Sequence, residues 1–370
     1  MFENLVIPSE LRPSDPRFGV GPSLIPSEFV GNLLKTGPEL LGTSHRKMAV
    51  RNLVKEMQEG LRAYFNLPSD YEVVLGNGGA TIVSDMIGLG LVDKASYHFV
   101  CGEFSDKWFK AHKNIPWINA QDERVAFGQG INPTDKEGYD LIACTLNETS
   151  TGVMLTELPT LGDDKILAID ATSGAGQIPI DFTKSDFYYF SPQKVFASEG
   201  GLYIAIMSPK AIARAEKILK TDRFIPESFK WSHAIENSRQ NQTYNTPAIT
   251  SIFYLNEQVK LLNKLGEKKV VELAKKKADL MYGWAKSKSY LECFIDEAYR
   301  SISVATINVD EKFKVDDLAS ELRRQKIAYD IEGYRKLGKN QFRIGLFHNI
   351  SYENLERLTK IIDLAIESQG

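Results

Sequence analysis

Residues 166–201 read ILAIDATSGAGQIPIDFTKSDFYYFSPQKVFASEGG. The apolar run Ile166–Asp170 predicts a strand that ends in a carboxylate. A second run, Phe187–Phe190, predicts another strand that leads through Ser191-Pro192-Gln193 to Lys194. Working outward, similar runs at Glu72–Leu75, Tyr97–Cys101, Leu141–Thr145 and Leu202–Met207 predict further strands, while Val50–Phe65 and Thr81–Gly90 carry helical spacing. Strands alternating with helices indicate an α/β unit with a mostly parallel sheet. In such sheets ligands bind beyond the carboxyl ends of the strands. Past residue 250 the texture changes. Ile252–Leu265, Val270–Lys288 and Asn354–Ile366 predict helices, and Ser303–Val309 and Gln341–Leu346 predict strands, which together make a smaller α+β unit. The expected division is an extended arm at 1–17, a large domain at 18–250 and a small domain at 251–370. Lys275–Lys277 is expected to be a solvated helix face.

Composition bounds the partners. The 370 residues hold 45 Lys+Arg against 48 Asp+Glu, a net charge of −3, with 43% hydrophobic and 25% charged residues. These are globular proportions, and the absent basic excess argues against nucleic acid. No apolar run approaches the ~20 residues of a membrane span. The first residues lack the basic and apolar stretches of a signal peptide. Three scattered cysteines, Cys101, Cys144 and Cys293, suggest reduced thiols, and a cytoplasmic setting is expected.

Three constellations carry chemistry. Asp170 and Lys194 leave two strand ends and can converge at one rim of the sheet. An enzyme holding pyridoxal phosphate needs such a pair: the lysine forms a Schiff base with the cofactor aldehyde, and the acid pairs with the pyridinium nitrogen. Leu75-Gly76-Asn77-Gly78-Gly79-Ala80-Thr81 runs from a strand into a helix and suits a phosphate. Gly42-Thr43-Ser44-His45-Arg46 sets an imidazole beside a guanidinium, a pair suited to anionic oxygens. Alone, each also reads as a turn, a cap or a surface pair. The histidines show no metal-binding spacing, so no metal is expected. Two motifs are decoys. Gly333–Asn340 has phosphate-loop spacing but ends in Asn340, where Ser or Thr should stand. Ser191-Pro192-Gln193-Lys194 and Lys35-Thr36-Gly37 occur in the reverse of the order found in penicillin-recognising acyl enzymes.

Taken together the chain resembles the phosphoserine aminotransferase family, most closely its actinobacterial branch. The resemblance rests on RFGVGPS (17–23), GTSHR (42–46), LGNGGAT (75–81), GEFS (102–105), NETSTG (147–152), IDATSGAG (169–176), YYFSPQK (188–194), ENSRQNQTYNTP (236–247) and GYRKLG (333–338), in family order. It implies a fold-type I, pyridoxal 5'-phosphate-dependent homodimer with shared active sites. The implied reaction moves an amino group from L-glutamate to 3-phosphohydroxypyruvate. Some members also act on a phosphorylated hydroxythreonine in pyridoxal phosphate synthesis, and the resemblance leaves that step open. Carried over by position, Lys194 is the Schiff-base lysine and Asp170 the pyridinium partner. Phe104 stacks on the ring, Thr149 meets its 3-hydroxyl side, and Ala80, Thr81 and Gln193 meet the phosphate. Asn245 and Thr246 reach the neighbouring subunit's cofactor phosphate. Arg343 takes the substrate α-carboxylate, and His45, Arg46 and Arg335 take its phosphate or distal carboxylate. One departure is Tyr334-Arg335, where many members have His-Arg, with a spacing to Arg343 longer by two residues. Tyr334 or Lys336 is the expected substitute donor.

Other readings compete. A glyoxylate or alanine aminotransferase would share the fold. A cysteine desulfurase would need a reactive Cys293, whose apolar neighbours predict burial. A DNA-binding regulator would need an N-terminal extension longer than the residues before Arg17.

Overall fold

The computed structural model describes residue 2 and residues 5–369. The apolar runs become strands β1 (Glu72–Gly78), β2 (Ala95–Val100), β3 (Asn119–Arg124), β4 (Leu141–Thr145), β5 (Asn147–Glu148), β6 (Val153–Met154), β7 (Ile166–Asp170), β8 (Phe187–Phe190) and β9 (Gly201–Met207), followed by β10 (Leu291–Cys293), β11 (Val304–Val309) and β12 (Gln341–Gly345). A seven-stranded sheet has the order β1-β9-β8-β7-β4-β2-β3. Pairs from β8 through β3 are parallel, and β9 alone runs antiparallel to both its neighbours. The reversal has a consequence for the site. The chain leaves β8, turns through 191–200 at the carboxyl rim and returns as β9, so the turn that carries Lys194 sits beside Asp170 at the end of β7.

Side chains alternate across the sheet, as strand geometry requires. Leu167, Ile169, Tyr188 and Phe190 face one core, and Ile166, Ala168, Phe187 and Tyr189 face the other. Helices α1 (Ser27–Leu40), α2 (Met48–Tyr64), α3 (Ala80–Gly90), α4 (Glu103–Lys113), α5 (Pro209–Leu219) and α6 (Trp231–Arg239) belong to this unit. Helices α7 (Ile249–Leu265), α8 (Glu267–Ser287), α9 (Val315–Arg324) and α10 (Tyr352–Glu367) follow, and the antiparallel sheet β10-β11-β12 packs with α8 and α10.

The arm is less detached than its prolines suggest. Phe2, Leu5 and Ile7 are buried, Ser9–Leu11 forms a 3-10 turn, and Tyr329 N donates to Pro16 O while Gly345 N donates to Phe18 O. Residues 1, 3 and 4 of the arm lie outside the described residues. The lysine run also departs from expectation. Lys275 and Lys276 are exposed, but Lys277 is buried and its Nζ donates to Phe347 O and His348 O, both at 2.9 Å. Burial pulls its pKa down to about 8. Position 277 falls on the inward stripe with Val270, Ala274 and Met281, so the helical period places its ammonium against the carbonyls after β12. Among the described residues no helix is long and apolar enough to cross a membrane.

Candidate active site

A cavity of about 340 Å³ opens at the carboxyl rim, with Asp170, Lys194, Phe104, Thr149, Gln193 and the Gly78–Thr81 turn among its walls. Asp170 is buried and accepts from Thr172 N (2.9 Å) and Thr172 Oγ1 (2.6 Å), both at Oδ1. Burial pushes its carboxyl above the usual range, the Thr172 bonds oppose this, and the charge of Glu148 adds to the rise. Lys194 Nζ donates to Val20 O at 2.7 Å. Burial, and then the charge of Arg343, pull its pKa down to about 8 against the opposing pull of Asp170. Gly21 is a close neighbour with φ +149°, where a Cβ would lie 1.7 Å from Lys194 Nζ, so only glycine fits.

The glycine turn forms the opposite wall. Gly78 and Gly79 have φ +128° and +154°, which lets β1 pass directly into α3. Ile82 N and Val83 N both donate to Gly79 O, so the N–H groups of Ala80 and Thr81 precede the first helical bonds and lie at the positive end of α3.

Next to the wall formed by Thr149, Arg343 Nη1 donates to Thr149 O at 3.1 Å, and its guanidinium lies 5.1 Å from the Tyr334 ring centre. The Tyr334 ring is 6.0 Å from that of Phe104. Thr149 Oγ1 donates to Ser173 Oγ at 2.7 Å. Thr145 Oγ1 and Gln193 Oε1 on the cavity wall are buried without protein partners, as is Arg343 Nε behind Thr149, and such orphaned atoms indicate a polar ligand. The set fits pyridoxal 5'-phosphate. Asp170 keeps Oδ2 for a cationic ring nitrogen, Lys194 supplies the amine, and the α3 start offers N–H groups to a phosphate.

The sequence matches the family Aminotransferase class-V over residues 21–336. The chain belongs to the class-V aminotransferases. Phosphoserine aminotransferase of Corynebacterium glutamicum (strain R) is 44% identical over 365 residues, which are 98% of this chain and 97% of that protein. The crystal structure of a phosphoserine aminotransferase from Cytophaga hutchinsonii superposes with a TM-score of 0.87 at 25% identity, covering 94% of this chain and 98% of that one. A pyridoxal phosphate-bound phosphoserine aminotransferase from Trichomonas vaginalis, 20% identical, shares the fold with a TM-score of 0.79 over 94% of this chain and 99% of that one. The architecture is that of the fold-type I aminotransferases.

Not every residue singled out from the sequence lines the cavity of this class-V chain. Asn245 and Thr246 are exposed in the segment before α7, and Thr246 O accepts from Asn77 Nδ2 at 2.8 Å. His45 and Arg46 lie in the loop between α1 and α2. Arg46 is exposed, whereas His45 is buried, with Nε2 unpartnered and its pKa lowered by burial and by Arg46. Arg335 is exposed on a 3-10 turn near Tyr334. Lys336 pairs with Glu103 of α4.

The decoys resolve on geometry. Gly333–Asn340 runs into β12, not into a helix. Ser191 Oγ donates to Leu202 O at 2.9 Å. Cys293 is half-buried on β10, and burial pushes its thiol pKa up, the reverse of an activated nucleophile. Sequence reasoning quoted Glu148 only as a letter of NETSTG, although it is fully buried behind Phe104. Its neighbours Asn147, Thr149, Ser150 and Thr151 are all polar, so no sequence signal marked it as buried.

Proposed function

We propose that this chain is a phosphoserine aminotransferase that transfers the amino group of L-glutamate to 3-phosphohydroxypyruvate, giving O-phospho-L-serine and 2-oxoglutarate. The observation that carries the reading is the convergence of Asp170, Lys194, Phe104 and the α3 start on one cavity, with Arg343 bonded to Thr149 of its wall. The names borne by full-length relatives support the choice of substrate pair. The cofactor is pyridoxal 5'-phosphate. When bound, it supplies a carbonyl carbon for amine exchange and a ring that takes up the electron pair left at the substrate Cα.

The chain's residues do the rest. Lys194 Nζ carries the proton that leaves the substrate Cα, a role helped by a pKa near 8. Asp170 Oδ2 holds the ring nitrogen protonated. Thr149 meets the ring's 3-hydroxyl side, Phe104 covers the ring face, and Ala80, Thr81 and Gln193 receive the cofactor phosphate. Arg343 takes the substrate α-carboxylate in a bidentate grip. Arg335 serves the distal anion from the same chain. His45 and Arg46 serve it across a homodimer, and Asn245 and Thr246 reach the partner's cofactor phosphate.

The dimer reading is supported by exposed apolar residues beside that loop: Val30 and Leu34 on α1, then Leu41 and Met48. The same reading sets a large domain at 18–250 and a small one at 251–370, each with its own sheet, in a cytoplasmic enzyme. The test is a glutamate-dependent assay on 3-phosphohydroxypyruvate, with the absorbance spectrum of the same preparation. Lys194→Ala should lose both turnover and the visible absorbance of the bound cofactor. Equal rates with unphosphorylated keto acids would overturn the substrate assignment.

A further inference from the structure

Glu148 is 0% exposed, yet hydrogen-bonding groups surround it. Oε1 accepts from Phe104 N (3.2 Å), Ser150 N (3.2 Å) and Ser150 Oγ (2.6 Å), while Oε2 accepts from Ser105 N and Ser105 Oγ, both at 2.9 Å. Every one of these donors is neutral. Phe104 and Ser105 open α4, so the carboxylate sits at the positive end of that helix, which offsets part of its desolvation. Gly102 makes the room. A Cβ there would lie 2.4 Å from Glu148 Cγ, although the φ of 176° is one that any residue adopts.

The groups tied to this carboxylate are those that wall the cavity. Phe104 hangs from one of the clamped N–H groups. Thr149 is the next residue in the chain, and its carbonyl holds Arg343. We propose that Glu148 is a positioning residue, whose buried carboxylate clamps the first turn of α4 to the β5–β6 hairpin and so fixes the Phe104 ring against the cofactor and Thr149 against Arg343. The proposal rests on the cofactor assignment above. An amide cannot replace the carboxylate, because in glutamine one of the two accepting oxygens becomes an NH2 facing N–H and O–H donors. The ring then loses its fixed height and tilt while the residue itself remains.

The experiment uses the holoenzyme of four proteins: wild type, Glu148→Gln, Phe104→Ala and the double variant. The readouts are the circular dichroism of the bound cofactor in the visible region, the cofactor dissociation constant and the melting temperature of the cofactor-free form. Glu148→Gln should weaken cofactor binding about tenfold or more, as expected for a lost hydrogen bond to a charged group, and should reduce the visible dichroism. In the Phe104→Ala background the same change should add little, because the ring through which it acts is gone. If Glu148→Gln lowers only the melting temperature, or if its effect on cofactor affinity adds in full to that of Phe104→Ala, the proposal is wrong. Gly102→Ala pushes on the carboxylate and on its donor Ser150 Oγ, which the Cβ would meet at 2.6 Å, without changing Glu148 itself, and it serves if Glu148→Gln does not fold. Its expected result is the same loss of dichroism, and unchanged dichroism would overturn the proposal. Wild-type protein that binds no cofactor would instead defeat the functional assignment.

Discussion

Lys194 shows how a residue acquires chemistry from its surroundings. A surface lysine near its ordinary pKa of about 10.4 is almost wholly protonated at pH 8. Lys194, lowered to about 8 by burial and Arg343, is about half neutral there. Cofactor-free protein treated at pH 8 with a limiting amine-acylating reagent should therefore be labelled first at Lys194, as read by peptide mass spectrometry. Lys277 also sits at about 8, but it is 5% exposed and held by two carbonyls, whereas Lys194 lines the open cavity, so Lys277 should be spared. Preferential labelling of surface lysines would contradict the lowered value. Asp170 and Lys194 were legible in the sequence because each follows an apolar strand. Glu148 was not, since burial of a charged residue is decided by what packs over it.

Element packing decides the sign of a substitution that propensity alone would misjudge. Alanine is favoured over glycine in a helix interior by about 1 kcal/mol. At Gly283 in α8 nothing lies within 4 Å of an added Cβ, so Gly283→Ala should raise stability by up to that amount. At Gly60 in α2 the Cβ would meet Val259 Cγ1 of α7 at 2.5 Å. Overpacking of a stiff β-branched neighbour costs roughly 1–3 kcal/mol, so Gly60→Ala should lower stability. Urea unfolding of the two variants checks the opposite signs.

A second element-scale effect lies between β2 and α4. His98 and His112 are buried 3.1 Å apart, with Ser96 Oγ and Trp108 Nε1 beside them. Burial lowers both pKa values, that of His112 to about 4. Both are then neutral in the fold but take up protons near pH 6.5 when unfolded, so stability is complete above that pH and falls below it. For His112 the loss should approach about 1.4 kcal/mol per pH unit down to about pH 4, and His98 adds to it in the same direction. Urea midpoints that do not fall between pH 7 and 5 would show that this pair does not titrate on unfolding. Sequence reasoning placed most strands of the large sheet to within a few residues but missed β3 and the helices α1, α4, α5 and α6. Asn119–Arg124 is a polar edge strand without alternation, and GEFS registered only as a motif.

At the scale of the whole molecule, six of the proposed site residues are not among those lining the cavity: Arg335 and Arg343, and also His45, Arg46, Asn245 and Thr246. On the proposed reading, His45, Arg46, Asn245 and Thr246 serve an active site shared with a second copy of the chain. Leu34, 81% exposed, is the most accessible large apolar side chain of α1, the helix that leads into the His45 loop. Leu34→Asp should shift the protein toward monomer in sedimentation velocity and weaken cofactor binding with it. An unchanged dimer would place the interface elsewhere.

The sequence by itself determined the strand and helix alternation, the carboxylate and lysine at two strand ends, and the glycine turn. Each of these is a local pattern, set by periodicity and by what a few adjacent residues permit. The tertiary structure alone decided that β9 runs antiparallel and returns Lys194 to Asp170, that Lys277 points inward, and that Glu148 is sealed behind Phe104. Those depend on contacts between segments distant in the chain, where packing and desolvation, not local preference, fix which side chains are buried and what they meet.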